Sequence, residues 1–324
     1  MSRSPAPAWI LACAAALAWT LAAAATAPQS QESQSRFLVT GTASSLVEEG
    51  LARAAPTGAN AGEFQEVPAP GVRLVPTAAR ATNVPWIDSN GWRYLRGLRK
   101  ASYATLPAGS AALAAAEAFV YEAEAILNPD PTDLEDLRQM LRFLKAQERP
   151  ALSALHNIAV VDDPSPLMGE VLNMLTRRNL LYRVVQAPDP SLDLTVRLGS
   201  SDFPEDAAAN PHEFAARVRA KLGDENRLVR LYGTSTVIAR LTGDAGRARL
   251  FLLQYSRGRR QPAAANPQAL QVRLLGGYEP AGFAASRSPG PGAGLSDIRH
   301  PEGATEFWVP EFGTCAIIDL ERRQ

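Results

Sequence analysis

The sequence predicts an α/β layer sandwich followed by an all-β sandwich, with a helical segment in front of both. Three observations carry that expectation. Apolar residues recur at helical steps in two stretches between 110 and 144. Short apolar runs then alternate with capped helices from 158 to 232, and after Gly233 the period of hydrophobicity changes from 3.6 to 2.

Residues 1–25 read as a cleaved signal peptide. Arg3 precedes an apolar run from Ala8 to Ala25, and Ala23 and Ala25 satisfy the small-x-small cleavage rule, so the mature chain is expected to begin near Thr26. Two alternatives stand beside this. The run approaches the roughly 20 residues that a spanning helix needs, and Ile10-Leu11-Ala12-Cys13 resembles a lipobox. The alanine content makes the run weakly hydrophobic, however, and Cys13 lies inside it instead of after it. Signal removal leaves Cys315 as the single cysteine, so no internal disulfide is expected. No second run of spanning length follows, which implies an exported protein, periplasmic or extracellular, with no membrane contact. Lys plus Arg and Asp plus Glu number 33 each, so no basic excess points to nucleic acid.

Residues 26–81 are rich in Ala, Pro, Gly, Ser and Thr, with short apolar islands at Phe37-Leu38-Val39 and Val72-Arg73-Leu74-Val75. They are expected to form a low-complexity leader or an extended arm. Residues 82–150 read as an aromatic loop and two helices. Ser110 is the expected cap of the first, in which Leu113, Ala116, Val120, Ala123 and Leu127 form a stripe that Asn128-Pro129-Asp130-Pro131 ends. Thr132 and Glu135 suit a capping box for the second, which carries Leu134, Leu137, Leu141 and Leu144. The two form an antiparallel pair or pack together on a sheet.

Residues 151–233 read as a flavodoxin-like α/β domain. Ile158 to Val161 is a strand buried on both faces, Ser165 and Pro166 open a helix, and Leu181 to Val185 is the next strand. Asp193 to Leu198 follows as a third strand, then a helix capped by Asn210 and closed by Gly223, then a fourth strand at Leu228 to Tyr232. In residues 234–324, runs at 237–241, 247–255, 270–275, 306–309 and 315–320 alternate with Gly/Pro turns, the pattern of a β-sandwich. The five residues Thr242 to Gly246 read as a hairpin connection.

No cofactor or metal is expected. No glycine-rich turn follows Ile158–Val161 and no P-loop or Gly-x-Ser-x-Gly elbow is present. His156, His212 and His300 are far apart, and His212-Glu213 lacks a second histidine at the zinc-protease step. Cys315 lies in an apolar strand, which suits a core thiol better than a nucleophile.

Two places carry candidate chemistry. Asp162 and Asp163 fall at the carboxyl end of the first central strand, where open α/β sheets hold ligands; alternatively Asp163 and Ser165 cap the following helix. The segment Pro85 to Tyr94 brings together Trp86, Asp88, Asn90, Trp92 and Arg93. Aromatic faces beside planar hydrogen-bonding groups suit a pyranose. The alternative is a hairpin turn at Ser89-Asn90-Gly91 whose tryptophans plug a junction between layers. Asp88 with Glu117 or Glu122 is a candidate catalytic carboxylate pair, if they share a cleft.

The succession from Ile158-Ala159-Val160-Val161-Asp162-Asp163 through Phe307-Trp308-Val309-Pro310 to Ala316-Ile317-Ile318-Asp319-Leu320 resembles the rear half of large glycoside hydrolases of the β-galactosidase type. Those enzymes carry an amidotransferase-like trimerisation domain followed by a small β-domain. The resemblance covers about half the chain and is one of layout. It implies a non-catalytic, carbohydrate-associated or assembly protein, with self-association through the α/β layer. The catalytic glutamates of those enzymes belong to a barrel of roughly 250 residues, longer than the segment before Ile158, so no catalytic residue carries over. A hydrolase using Asp88 with Glu117 or Glu122, and a structural envelope protein, are the competing readings.

Overall fold

The computed structural model describes residues 35–57, 62–77, 80–256, 270–287 and 294–323. The expected signal peptide, Cys13 and the cut before Thr26 lie outside the described residues. The first region comprises β1 (Phe37–Val39), α1 (Ser44–Glu48), β2 (Arg53–Ala54), β3 (Gln65–Glu66), β4 (Gly71–Thr77), β5 (Arg80–Asp88), α2 (Gly91–Leu95), β6 (Lys100–Tyr103), α3 (Ala111–Val120), β7 (Glu124–Leu127) and α4 (Leu134–Ala146). Then come β8 (Ile158–Val161), α5 (Pro166–Arg177), β9 (Tyr182–Val185), β10 (Leu194–Val196) and α6 (Pro211–Leu222). The remainder is all β: β11 (Val229–Tyr232), β12 (Val237–Gly243), β13 (Arg247–Gln254), β14 (Leu270–Leu275), β15 (Tyr278–Ala285), β16 (Ser296–Arg299), β17 (Ala304–Val309) and β18 (Cys315–Arg322).

The first sheet has the order β2-β1-β7-β6-β3, with every pair parallel. Phe37, Leu38 and Val39 are all buried and lie opposite Ala125, Ile126 and Leu127. The segment expected as a leader or arm thus supplies strands of this sheet. Its apolar island is short because a strand paired on both sides and covered on both faces needs only a few residues to be held. β4 and β5 pair antiparallel as a separate ribbon.

The helix expected from 110 to 127 is also corrected. Nine of the ten residues of α3 are buried, so an alanine-rich helix with no watery face cannot show a stripe. It ends where Glu122 adopts a left-handed φ of 57°, and Ala125 and Leu127 belong to β7. Apolar residues spaced 123, 125, 126, 127 fit either period, and pairing with β1 and β6 decides for a strand. Ser110 gives α3 no side-chain cap. Asp133, just ahead of α4, does so instead, accepting from the backbone N–H of Gly109 at 2.6 Å and of Ala111 at 3.2 Å. Nor does Thr132 cap α4; Asp130 accepts from the Thr132 N–H at 2.9 Å instead. The two helices pack on each other and α3 also packs on β7, which is the sheet-backed arrangement.

The second parallel sheet has the order β10-β8-β9. Ser165 caps α5 by accepting from the Met168 N–H at 3.4 Å, with Pro166 in the first turn. Asn210 caps α6 through Glu213 at the same distance. The parallel α/β class stands, but the expected fourth strand does not join this sheet. β11 pairs antiparallel with β14, Val229 opposite Leu274, so Val229 and Leu231 turn into the β core.

The all-β region forms two four-stranded sheets, β11-β14-β17-β16 and β12-β13-β18-β15. Among the described residues no α-helix follows α6, and none is long and apolar enough to cross a membrane. Strands β12, β13 and β18 of the second sheet are buried on both faces. Ile238, Phe251, Leu253, Tyr255, Cys315 and Ile317 face the core of the first α/β region. Their strand neighbours Ala239, Leu250, Leu252, Ala316 and Ile318 face the other β-sheet. The period of 2 thus serves two cores with one set of strands. Two strands, β15 and β16, escaped the sequence pattern. Pro280 and Gly282 flank a register shift in β15, which among the described residues pairs only with β18, and a proline is tolerated at such an edge. All four residues of β16 are exposed.

Candidate functional site

β5 delivers Asp88, Ser89 and Asn90 to the start of α2, a five-residue helix. Ser89-Asn90-Gly91 is therefore a strand-to-helix junction and not the hairpin turn that the sequence suggested. The chain is drawn tight here. A Cβ on Gly91 would overlap the hydroxyl of buried Tyr121, whose ring stacks on Tyr94 at 5.5 Å.

Beneath this junction lies Glu117 of α3, with no exposed surface. Its Oε1 accepts from the Ser89 hydroxyl at 2.8 Å, the Asn90 N–H at 2.8 Å and the Tyr255 hydroxyl at 2.6 Å. Its Oε2 accepts from Asn90 Nδ2 at 3.1 Å and Tyr103 at 3.0 Å, and Tyr94 lies 2.6 Å from the Tyr103 hydroxyl. Burial, with the carboxylate and neighbouring phenols adding to it, pushes Tyr103 and Tyr255 well above the usual phenol range. These phenols stay protonated and serve as fixed donors. Five hydrogen bonds saturate a buried carboxylate, so Glu117 has no lone pair directed at solvent.

Beside α2 an open cleft of about 690 Å³ is lined by Trp92, Arg93, Arg96, Arg99, Lys100 and Asp162, together with Glu63 and Gln65. Its wall is set by the turn after α2, where Gly97 has φ 112° and passes the chain straight into β6. Arg96 pairs with Asp162 (Nε to Oδ1, 3.0 Å) and donates from Nη2 to the Asp163 carbonyl at 2.6 Å, tying α2 to the carboxyl end of β8. Lys100 pairs with Glu63 at 2.5 Å. Arg93 lies over the Trp92 ring at 4.3 Å and donates to Asn90 Oδ1 at 3.0 Å. Burial lowers the Arg93 pKa, with Glu117 acting against that.

The structure thus brings Trp92, Arg93 and Asp162 to one cleft and scatters the other expected site residues. Asn90 is buried in the Glu117 network. Asp163 accepts from the Ser165 N–H at 2.8 Å, and the hydrogen bonds from Ser165 hold its carboxyl below the usual range; this is the helix-start role. Trp86 lies between Arg177 at 3.7 Å and Arg73 at 5.7 Å and packs with Trp92 against the core of the second α/β layer. Asp88 is bound by Arg73 Nε at 2.9 and 3.1 Å. Glu122 is exposed at the left-handed end of α3. Asp88 and Glu122 do not line the cleft, and Glu117 is enclosed. Cys315 is buried, and that burial pushes its thiol up to about 12. Among the described residues no cluster of His, Cys, Asp and Glu could hold a metal.

Sequence reasoning missed Arg96, Arg99 and Lys100. Their signal was present as basic residues three apart, at 93, 96 and 99, immediately after the tryptophan.

No protein-family model matches the sequence, and no curated protein matches it. Among solved structures, the chain is similar at low level to α-L-fucosidase isoenzyme 2 from Paenibacillus thiaminolyticus: 9% identity and a TM-score of 0.48 over 67% of this chain and 57% of that one. A β-galactosidase from Rahnella sp. R3 has 10% identity and a TM-score of 0.37, over 79% and 54% of the two chains. A GH42 β-galactosidase from G. stearothermophilus has 6% identity and a TM-score of 0.36, over 74% and 52%. These neighbours are glycoside hydrolases, and the chain spans little more than half the length of each.

Proposed function

We propose that this chain is an exported, non-catalytic carbohydrate-associated protein that binds sugar in the cleft beside α2. One observation carries the reading. Trp92 and Arg93, an aromatic face beside a hydrogen-bonding group, and Asp162, at the carboxyl end of β8, line the same open cleft. A volume of about 690 Å³ lies within the range of small-ligand sites. Self-association through the flavodoxin-like, amidotransferase-like layer of β8 to α6 belongs to the same proposal.

The hydrolase reading has less support. A general acid needs to reach the glycosidic oxygen, and Glu117 is covered by Ser89, Asn90, Tyr103 and Tyr255. The test is a glycan array followed by calorimetric titration with the strongest hits. Trp92→Ala should weaken binding at least about fivefold, the loss of roughly 1 kcal/mol expected of an aromatic anchor. Thermal melting of the same variant is measured alongside. Unchanged affinity with a large loss of stability would make Trp92 a packing residue and end the proposal for this cleft.

A further inference from the structure

Four cations line the cleft, Arg93, Arg96, Arg99 and Lys100, against two carboxylates, Glu63 and Asp162. Each carboxylate is already engaged, Asp162 by Arg96 and Glu63 by Lys100. The remaining two cations differ in setting. Two carboxylates act on Arg93 without forming an ion pair with it: Glu117, which is saturated by other donors, and Glu170 of α5. Arg99 is exposed and has no acidic partner among the described residues. The cleft therefore carries an excess of positive charge although the whole chain is formally neutral.

The aromatic wall is only part of a stacking platform. Arg93 covers one face of Trp92, and the edge of the six-membered ring lies against Gly169 of α5, close enough that a Cβ there would sit 3.1 Å from it. Recognition through a bare tryptophan face is thus reduced, and the groups left to meet a ligand are guanidinium N–H donors. A planar guanidinium presents paired donors that match two oxygens of a carboxylate or sulfate. A neutral sugar would need acceptors as well, and the side-chain acceptors lining the cleft are Gln65 and two carboxylates that each already hold a cation.

We infer that the ligand of this cleft is an anionic saccharide, a pyranose bearing a carboxylate or sulfate, held by Arg99 and Arg93 beside Trp92. The inference rests on the sugar-binding reading above and narrows it to one substrate class.

The experiment is titration of the full exported chain with three oligosaccharide sets of equal length: neutral galactose oligomers, oligogalacturonates and sulfated galactose oligomers. Each is run at about 20 mM and 300 mM salt. At low salt an anionic set should bind at least about tenfold more tightly than the neutral one, and added salt should erode that preference as charges are screened. Which anionic set binds identifies the charged group. Arg99→Gln, at an exposed position that leaves the fold intact, should weaken anionic binding about five- to tenfold. Equal, salt-insensitive binding of neutral and anionic oligomers would overturn this inference and leave the sugar-binding reading standing. Binding of none of the three, with the array also blank, would overturn both. An anionic preference untouched by Arg99→Gln and by Arg93→Gln would place the ligand elsewhere and overturn the assignment to this cleft.

Discussion

Gly91 and Glu117 show how much of this molecule is decided by single residues. At Gly91 there is no room for a methyl group against the Tyr121 hydroxyl, and Tyr121 is itself pinned by Tyr94. Gly91→Ala should lower stability by roughly 1–3 kcal/mol, the range for overpacking, read as a shift in the urea midpoint at constant slope. Glu117→Gln puts an amide NH₂ where donors already converge, so about 3 kcal/mol or more should be lost, given the strength of hydrogen bonds to a charged group. If Glu117→Gln melted like the parent, the saturated network described above would not be what holds α2 on α3. At this scale the site was partly legible. Residue type alone picked out Trp92, Arg93 and Asp162. It could not separate them from Asn90 and Asp163, because a polar side chain that lines an open cleft and one that is bound internally are the same residue type. The distinction lies in who the hydrogen-bond partner is, and for Asn90 and Asp163 that partner is internal.

Helices were read well where their caps are local and badly where they are not. Ser165 and Asn210 cap helices that begin one residue later, within reach of any sequence rule. Asp133 caps α3 from beyond that helix and an intervening strand, so nothing near Ser110 announces it. Asp133→Ala should therefore destabilise the protein by about 1 kcal/mol, as loss of a cap does, while Ser110→Ala should have a smaller effect; equal effects would contradict the assignment. The far end of α6 offers a pH test. Asp224 is held at about 2 by its hydrogen bonds and charge contact with Arg219, below its ordinary 3.8. A folded-state value below the unfolded one means a stabilisation present above about pH 4 and lost as pH falls toward 2. The stability difference between the parent and Asp224→Asn should accordingly shrink over that window and be flat above pH 5. The contact is exposed, so the effect is small and salt should reduce it. A difference that stayed constant from pH 5 to pH 2 would show that the carboxylate does not contribute through its charge. Strand β7 was misread for a different reason: its four residues fit two periods, and only neighbours distant in sequence choose between them.

For the molecule as a whole, the sheet β12-β13-β18-β15 is the member that both cores share. Tyr255 even reaches from that region to Glu117 of α3. Thermal unfolding should then be one transition. Fluorescence of Trp308, in β17, and of Trp86 and Trp92, near α2, can be separated with Trp308→Phe, and both signals should share a midpoint with the far-ultraviolet circular dichroism. Distinct midpoints would mean that the β region and the layer of β8 to α6, against which Trp86 and Trp92 pack, melt independently. The general order of classes, parallel α/β before antiparallel β, was visible in the change of period. The sharing of one sheet was not, because alternate residues aimed at two apolar walls read only as a continuous apolar run.

A sheet shared in this way has a cost during synthesis. Chain growth runs from one end, and α4 is finished at Ala146, whereas Cys315 and Ile317, which close the wall above α3 and its neighbours, come about 170 residues later. At about 5–20 residues per second the ribosome needs roughly 10–30 s to cover that distance. Throughout that wait the nascent first layer presents an uncovered apolar flank, so it must be shielded by a chaperone or kept unfolded until the last strand arrives.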